Sequence, residues 1–163
     1  MTLDELNAAP DAELRALLLA CADVPAWAEA VLAGRPYADD ADVVEVADKA
    51  AREFTPEDVD RALAAHPRIG EKAQGRRTEA AWSRDEQAGV SRDEQTRAAL
   101  ADGNHAYEER FGRVFLICAT GLSSEQILSA LQRRLAHDDA TEQAVVADEL
   151  RKIALLRLRK VLD

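Results

Sequence analysis

Helix-start and helix-stop signals alternate from one end of this chain to the other, and no two runs of alternating apolar and polar residues are joined by a hairpin turn. The pattern predicts an all-α fold. At 163 residues the chain fits one domain, so we expect a single-domain bundle of roughly eight helices over residues 1–163.

The individual signals are specific. Thr2 and Glu5 have capping-box spacing, Asp11 is placed to cap residues 14–21, and Pro25 suits the first turn of a helix that Gly34 stops. Residues 40–54 are helical by composition. Thr55-Pro56-Glu57-Asp58 starts the next helix, which ends before His66-Pro67. Residues 70–77, GEKAQGRR, read as a surface loop. Ser83-Arg84-Asp85-Glu86-Gln87 recurs identically at Ser91-Arg92-Asp93-Glu94-Gln95, and each copy has the Ser-x-x-Glu spacing of a capping box, which predicts two successive helix starts. Leu100, Asn104, Tyr107 and Phe111 follow at helical spacing before Gly112. Val114-Phe115-Leu116-Ile117-Cys118-Ala119 is the one strand-like run, and a lone run cannot form a sheet, so a buried extended connector is expected. Ser123 or Ser124 caps the next helix, and Thr141 begins the last.

Composition excludes several function classes. With 21 Lys and Arg against 31 Asp and Glu, the net charge is −10, which argues against general binding to nucleic acid or anionic membranes. The N-terminal residues MTLDELNAAPDAEL lack a basic flank and a long apolar stretch, and no segment approaches the ~18 apolar residues of a membrane span. We therefore expect a cytoplasmic protein. Cys21 and Cys118 are far apart and suggest reduced core thiols. His66, His105 and His137 show no metal-ligand spacing, so no metal site is expected.

Three residues could carry chemistry, and each has two readings. His66 reads either as a histidine stabilised at a helix C-terminus or as a general acid or base titrating near pH ~6.5. Glu86 is either the acidic member of a capping box or a carboxylate that orients His66, with Ser83, Gln87 and the free amides of a helix start available to an anion. Arg157 interrupts the apolar stripe Val146, Leu150, Ile153, Val161. It is either an Arg whose stem packs on the core or a buried fork for a carboxylate or carbonyl.

Four strings occur in order: His66-Pro67-Arg68-Ile69-Gly70-Glu71-Lys72; Ser83-x-x-Glu86-Gln87-Ala88-Gly89-Val90; Asn104-x-x-Tyr107-Glu108-Glu109-Arg110-Phe111-Gly112-x-x-Phe115-Leu116-Ile117-Cys118-Ala119; and Ile153-Ala154-Leu155-Leu156-Arg157-Leu158. With Arg35-Pro36-Tyr37, they make the chain resemble the 2-oxo-4-hydroxy-4-carboxy-5-ureidoimidazoline (OHCU) decarboxylases, which complete the conversion of urate to (S)-allantoin. The resemblance extends over nearly the whole chain. It implies an all-α fold, no metal or organic cofactor, a small anionic ureidoimidazoline substrate, and a homodimer as the common assembly. It makes His66 the catalytic acid, adds Glu86 and Arg157 as catalytic residues, and places Pro67, Ser83, Arg84, Asp85, Gln87, Phe115, Leu116, Ile117, Cys118 and Ala119 around the substrate. It also selects the first of the twin pentapeptides, hence Glu86 over Glu94. Arg68-Ile69 and Arg113-Val114 depart from the common family pattern and bear on the pocket wall and the assembly interface. A second reading, from another class, is a non-catalytic helical module that binds a ureide or a partner protein of the same pathway.

Overall fold

In the computed structural model, which describes residues 1–69, 78–90 and 94–163, the first helix begins on the expected capping box. Thr2 Oγ1 accepts from the Glu5 amide at 3.2 Å and Glu5 Oε2 accepts from the Thr2 amide at 2.7 Å. The chain then runs α1 (Leu3–Ala8), α2 (Asp11–Cys21), α3 (Pro25–Ala33), α4 (Asp40–Ala51), α5 (Pro56–Leu63), α6 (Thr78–Glu86), α7 (Glu94–Phe111), α8 (Ser124–Leu135) and α9 (Asp139–Leu162). The described residues thus form nine helices and contain no strand, which agrees with the all-α expectation.

Contacts divide the chain into two compact units, Met1–Ala62 with Ala147–Asp163, and Leu63–Val146. In the first unit, Trp27 is buried and its indole nitrogen donates to the Ala47 carbonyl at 2.9 Å, which ties α3 to α4. The Arg35-Pro36-Tyr37 string is structural here. Arg35 Nη1 donates to the Leu6 and Ala9 carbonyls at 3.1 and 2.7 Å, satisfying acceptors left open at the end of α1, while Asn7 and Tyr37 exchange side-chain to backbone bonds at 3.0 and 2.8 Å. Tyr37 Oη donates to the Val31 carbonyl at 2.6 Å, and a Cβ on Gly34 would lie 2.1 Å from that hydroxyl oxygen. Gly34 therefore ends α3 by making room for Tyr37, in ordinary αR conformation with φ −75°.

Three boundaries differ from the sequence expectation. Asp11 is the first residue of α2, not its cap. Pro10 holds the cap position without a side-chain bond, and Asp11 pairs with Arg35. The fourth helix ends at Ala51, short of residue 54, because Thr55 precedes a proline and is drawn into the next helix start by reciprocal bonds with Asp58. The last helix begins at Asp139, since Asp138 accepts from the Thr141 amide at 2.7 Å and so supplies the cap.

In the second unit, Gly112 ends α7 at φ +70°, a left-handed conformation that suits glycine. Ser123, not Ser124, caps α8 through a capping box with Gln126. Neither cysteine forms a disulfide. Cys21 is buried as expected, but Cys118 is only half-buried. The expected loop at residues 70–77 and the second helix start at Ser91 lie outside the described residues. Among the described residues, no helix is long and apolar enough to cross a membrane.

Candidate active site

His66 lies three residues beyond the end of α5, outside its final turn, with its amide donating to the Leu63 carbonyl at 3.0 Å. Helix-dipole stabilisation falls off within the last turn, so this position weakens the reading of His66 as a helix-terminal histidine. The imidazole is half-buried, as is Pro67. The next two residues are gripped from one face of α7. Asn104 Nδ2 donates to the Ile69 carbonyl at 2.8 Å, and one turn later Glu108 receives Arg68 as a fork, Nε at 2.5 Å and Nη2 at 3.2 Å. Arg68 holds the Glu108 carboxyl below its ordinary range by hydrogen bonding. Arg68, a departure from the common family pattern, thus has a partner on α7.

The Ser83 segment corrects the sequence reading. Ser83 lies inside α6, and its hydroxyl donates back to the Glu79 carbonyl at 2.9 Å, so the Ser-x-x-Glu string is not a capping box here. Helix formation begins earlier, at Thr78, and runs through Ala80 and Ala81. Residues 83–87 are therefore a helix end, and the expected free amides are absent: the Gln87 amide is bonded to the Ser83 carbonyl at 3.2 Å. The negative end of the helix dipole faces this segment, so any anion held here needs a side-chain cation or donor. Ser83 and Glu86 are buried, Arg84 and Gln87 half-buried, and Asp85 exposed.

Residues 115–119 form the expected connector, in neither helix nor strand, with Phe115, Leu116, Ile117 and Ala119 buried. One core cluster takes in Ile69, Phe115, Ile117 and Ala119 with Tyr107 and Leu131, and Val90 packs against it. A Cβ on Gly89 would lie 2.6 Å from the Leu122 carbonyl oxygen, so the turn after α6 runs close to the segment that follows the connector. The structure therefore anchors three predicted segments, carrying His66, Glu86 and the connector, on one core within the second unit.

Arg157 belongs to the first unit. It is 1% exposed and its Nη1 donates to the Ala20 carbonyl at 3.2 Å, near the C-terminal end of α2. Its burial follows the predicted stripe, in which Val146, Leu150, Ile153 and Val161 are also buried. Sequence reasoning missed two residues: Arg134, which donates to the Leu116 carbonyl of the connector, and Glu142, which holds Arg134. Their signal was local: each is a charged residue on a buried helix face. Among the described residues, no group of three or more His, Cys, Asp or Glu could hold a metal ion.

The chain is similar to known proteins along most of its length. The OHCU decarboxylase family model matches residues 7–159. The chain is 40% identical over 60 residues to the 2-oxo-4-hydroxy-4-carboxy-5-ureidoimidazoline decarboxylase of Amia calva, a match spanning 37% of this chain and 34% of that protein. It is 28% identical over 135 residues to the enzyme of the same name from Haloferax volcanii strain DS2, covering 82% of this chain and 79% of that one. A crystal structure of OHCU decarboxylase in the presence of (S)-allantoin superposes with a TM-score of 0.73 at 24% identity, covering 88% of this chain and 95% of that chain, a likeness of fold.

Proposed function

The chain belongs to the OHCU decarboxylase family, and on that premise we propose that it decarboxylates 2-oxo-4-hydroxy-4-carboxy-5-ureidoimidazoline to (S)-allantoin. The observation that carries the reading is the family match across residues 7–159, together with the anchoring of the His66, Glu86 and connector segments on one core.

The substrate supplies its own electron sink. Its carboxylate and hydroxyl share one ring carbon, next to a ring carbon that bears a C=N bond and the ureido group. When the carbon–carboxylate bond breaks and CO2 leaves, the electron pair forms a double bond to that neighbour, and the C=N pair moves to nitrogen, which takes a proton. The resulting enol then loses its hydroxyl proton to become the ring carbonyl, while the neighbouring carbon gains a proton on one face. A pyridoxal or thiamine group is not needed for this sequence.

In this reading His66 is the acid–base group at the departing carboxylate and hydroxyl, and Glu86 orients it. Pro67, Ser83, Arg84, Asp85 and Gln87, with the connector residues Phe115, Leu116, Ile117, Cys118 and Ala119, surround the ureido and ring carbonyl groups. Arg157 is the proposed anchor for a substrate oxygen, on the strength of the family resemblance. We further read residues 1–163 as one catalytic domain, acting in the cytoplasm as a homodimer. Light scattering on the purified protein measures the assembly.

The test is substrate consumption. OHCU generated freshly from urate should disappear and release CO2 faster with the protein than without it. Equal rates reject the proposal.

A further inference from the structure

The 115–119 connector has no strand or helix to hold its backbone, yet all of its residues but Cys118 are buried, and one side chain meets two of them. Arg134, 4% exposed on α8, donates from Nη1 to the Leu116 carbonyl at 2.7 Å and lies with its guanidinium carbon 4.5 Å from the centre of the Phe115 ring. Arg134 is itself fixed. Its Nε donates to Glu142 Oε1 at 2.6 Å, and the same oxygen accepts from the Tyr107 hydroxyl at 2.8 Å. The other carboxylate oxygen lies 3.0 Å from His137 Nδ1. Glu142 is fully buried. Tyr107 meets Phe115 edge to face, with centroids 5.2 Å apart.

Burying a full ion pair in a core of leucine, isoleucine and aromatic residues gains little stability over apolar packing. What an apolar side chain could not do is donate to a buried carbonyl and face an aromatic ring with the same planar group. We propose that Arg134, held by Glu142 and Tyr107, is a positioning residue that fixes the connector backbone in the geometry that receives the substrate. The inference rests on the reading of residues 115–119 as substrate contacts. It gives the buried charges a role in binding, acting through the connector without touching substrate.

Arg134→Lys keeps the cation but loses the fork. Two readouts are made on this variant: steady-state kinetics, and the carbonyl-carbon chemical shift of Leu116 by triple-resonance NMR. We expect KM to rise about 10-fold with kcat within about threefold of the native value, since the connector contributes binding and not proton transfer. The Leu116 carbonyl shift should move while those of α7 and α8 residues more than one turn from Tyr107 and Arg134 stay. Tyr107→Phe, a milder change that removes one donor from Glu142, should show the same pattern at about two- to threefold in KM, and decides the matter if Arg134→Lys does not fold. An unchanged Leu116 shift with unchanged KM overturns the inference, as does a loss spread evenly over kcat, KM and the shifts of the whole unit. If the native protein does not accelerate decarboxylation, the proposed function fails, and the Leu116 shift still decides whether Arg134 positions the connector.

Discussion

Asn104 donates to the Ile69 carbonyl at 2.8 Å, so a residue deep in the α7 stripe holds the backbone three positions beyond His66. Asn104 is 4% exposed, and the bond replaces water for an acceptor that the fold has taken out of solvent.

Asn104→Ala removes that donor and leaves the Ile69 carbonyl unsatisfied. Urea denaturation should show a loss of about 1–3 kcal/mol. If His66 acts from this segment, kcat should fall by more than KM rises, because an imidazole set out of line costs the reaction step more than binding. A variant with native stability would show that the bond contributes nothing.

The limits of the sequence reading follow from the range of each interaction. Thr2 with Glu5, a cap at Ser123 or Ser124, and Gly112 were legible because a cap or a left-handed stop is decided within about four residues. The Ser83 string was not, since Ser-x-x-Glu fits a helix start and a helix interior equally well. The choice fell to upstream residues 78–82, which were already helical. Arg134 and Glu142 left a local sign, a charge on a buried helix face, but their pairings were illegible: Leu116 and Tyr107 lie 18 and 35 positions from their partners, and only the fold reveals those bonds. The assignments of His66, Glu86 and Arg157 came through family resemblance, because spacing alone left each with a structural reading beside the catalytic one.

Arg157→Lys separates two uses of a buried guanidinium. The single ammonium can still reach the Ala20 carbonyl, but it lacks the planar fork. We expect kcat/KM to fall about 10-fold or more in the folded variant. Native kcat/KM in a folded variant would leave Arg157 a purely structural role.

Asp48 and Arg151 give the first unit a pH-dependent link. Arg151 Nη1 donates to Asp48 Oδ1 at 2.5 Å, and Arg52 adds a second partner, so hydrogen bonding holds the Asp48 carboxyl below its ordinary 3.8. A carboxyl depressed in the folded state contributes stability above its unfolded pKa and loses it as pH falls through the folded pKa. Asp48→Asn should therefore cost a few tenths to about 1 kcal/mol at neutral pH. Its thermal midpoint should converge with the native one as the pH drops below 3.8 and the native carboxyl takes its proton. A gap that persists unchanged in acid would assign the effect to packing.

The most direct test of the central claim is circular dichroism of the allantoin formed from fresh OHCU by the native protein, by His66→Asn and by buffer alone. The account predicts rapid growth of the (S)-allantoin signal with the native protein, and a rate and racemic product matching buffer for a folded His66→Asn. Racemic allantoin at the spontaneous rate from the native protein, or an undiminished (S) signal from His66→Asn, would contradict it.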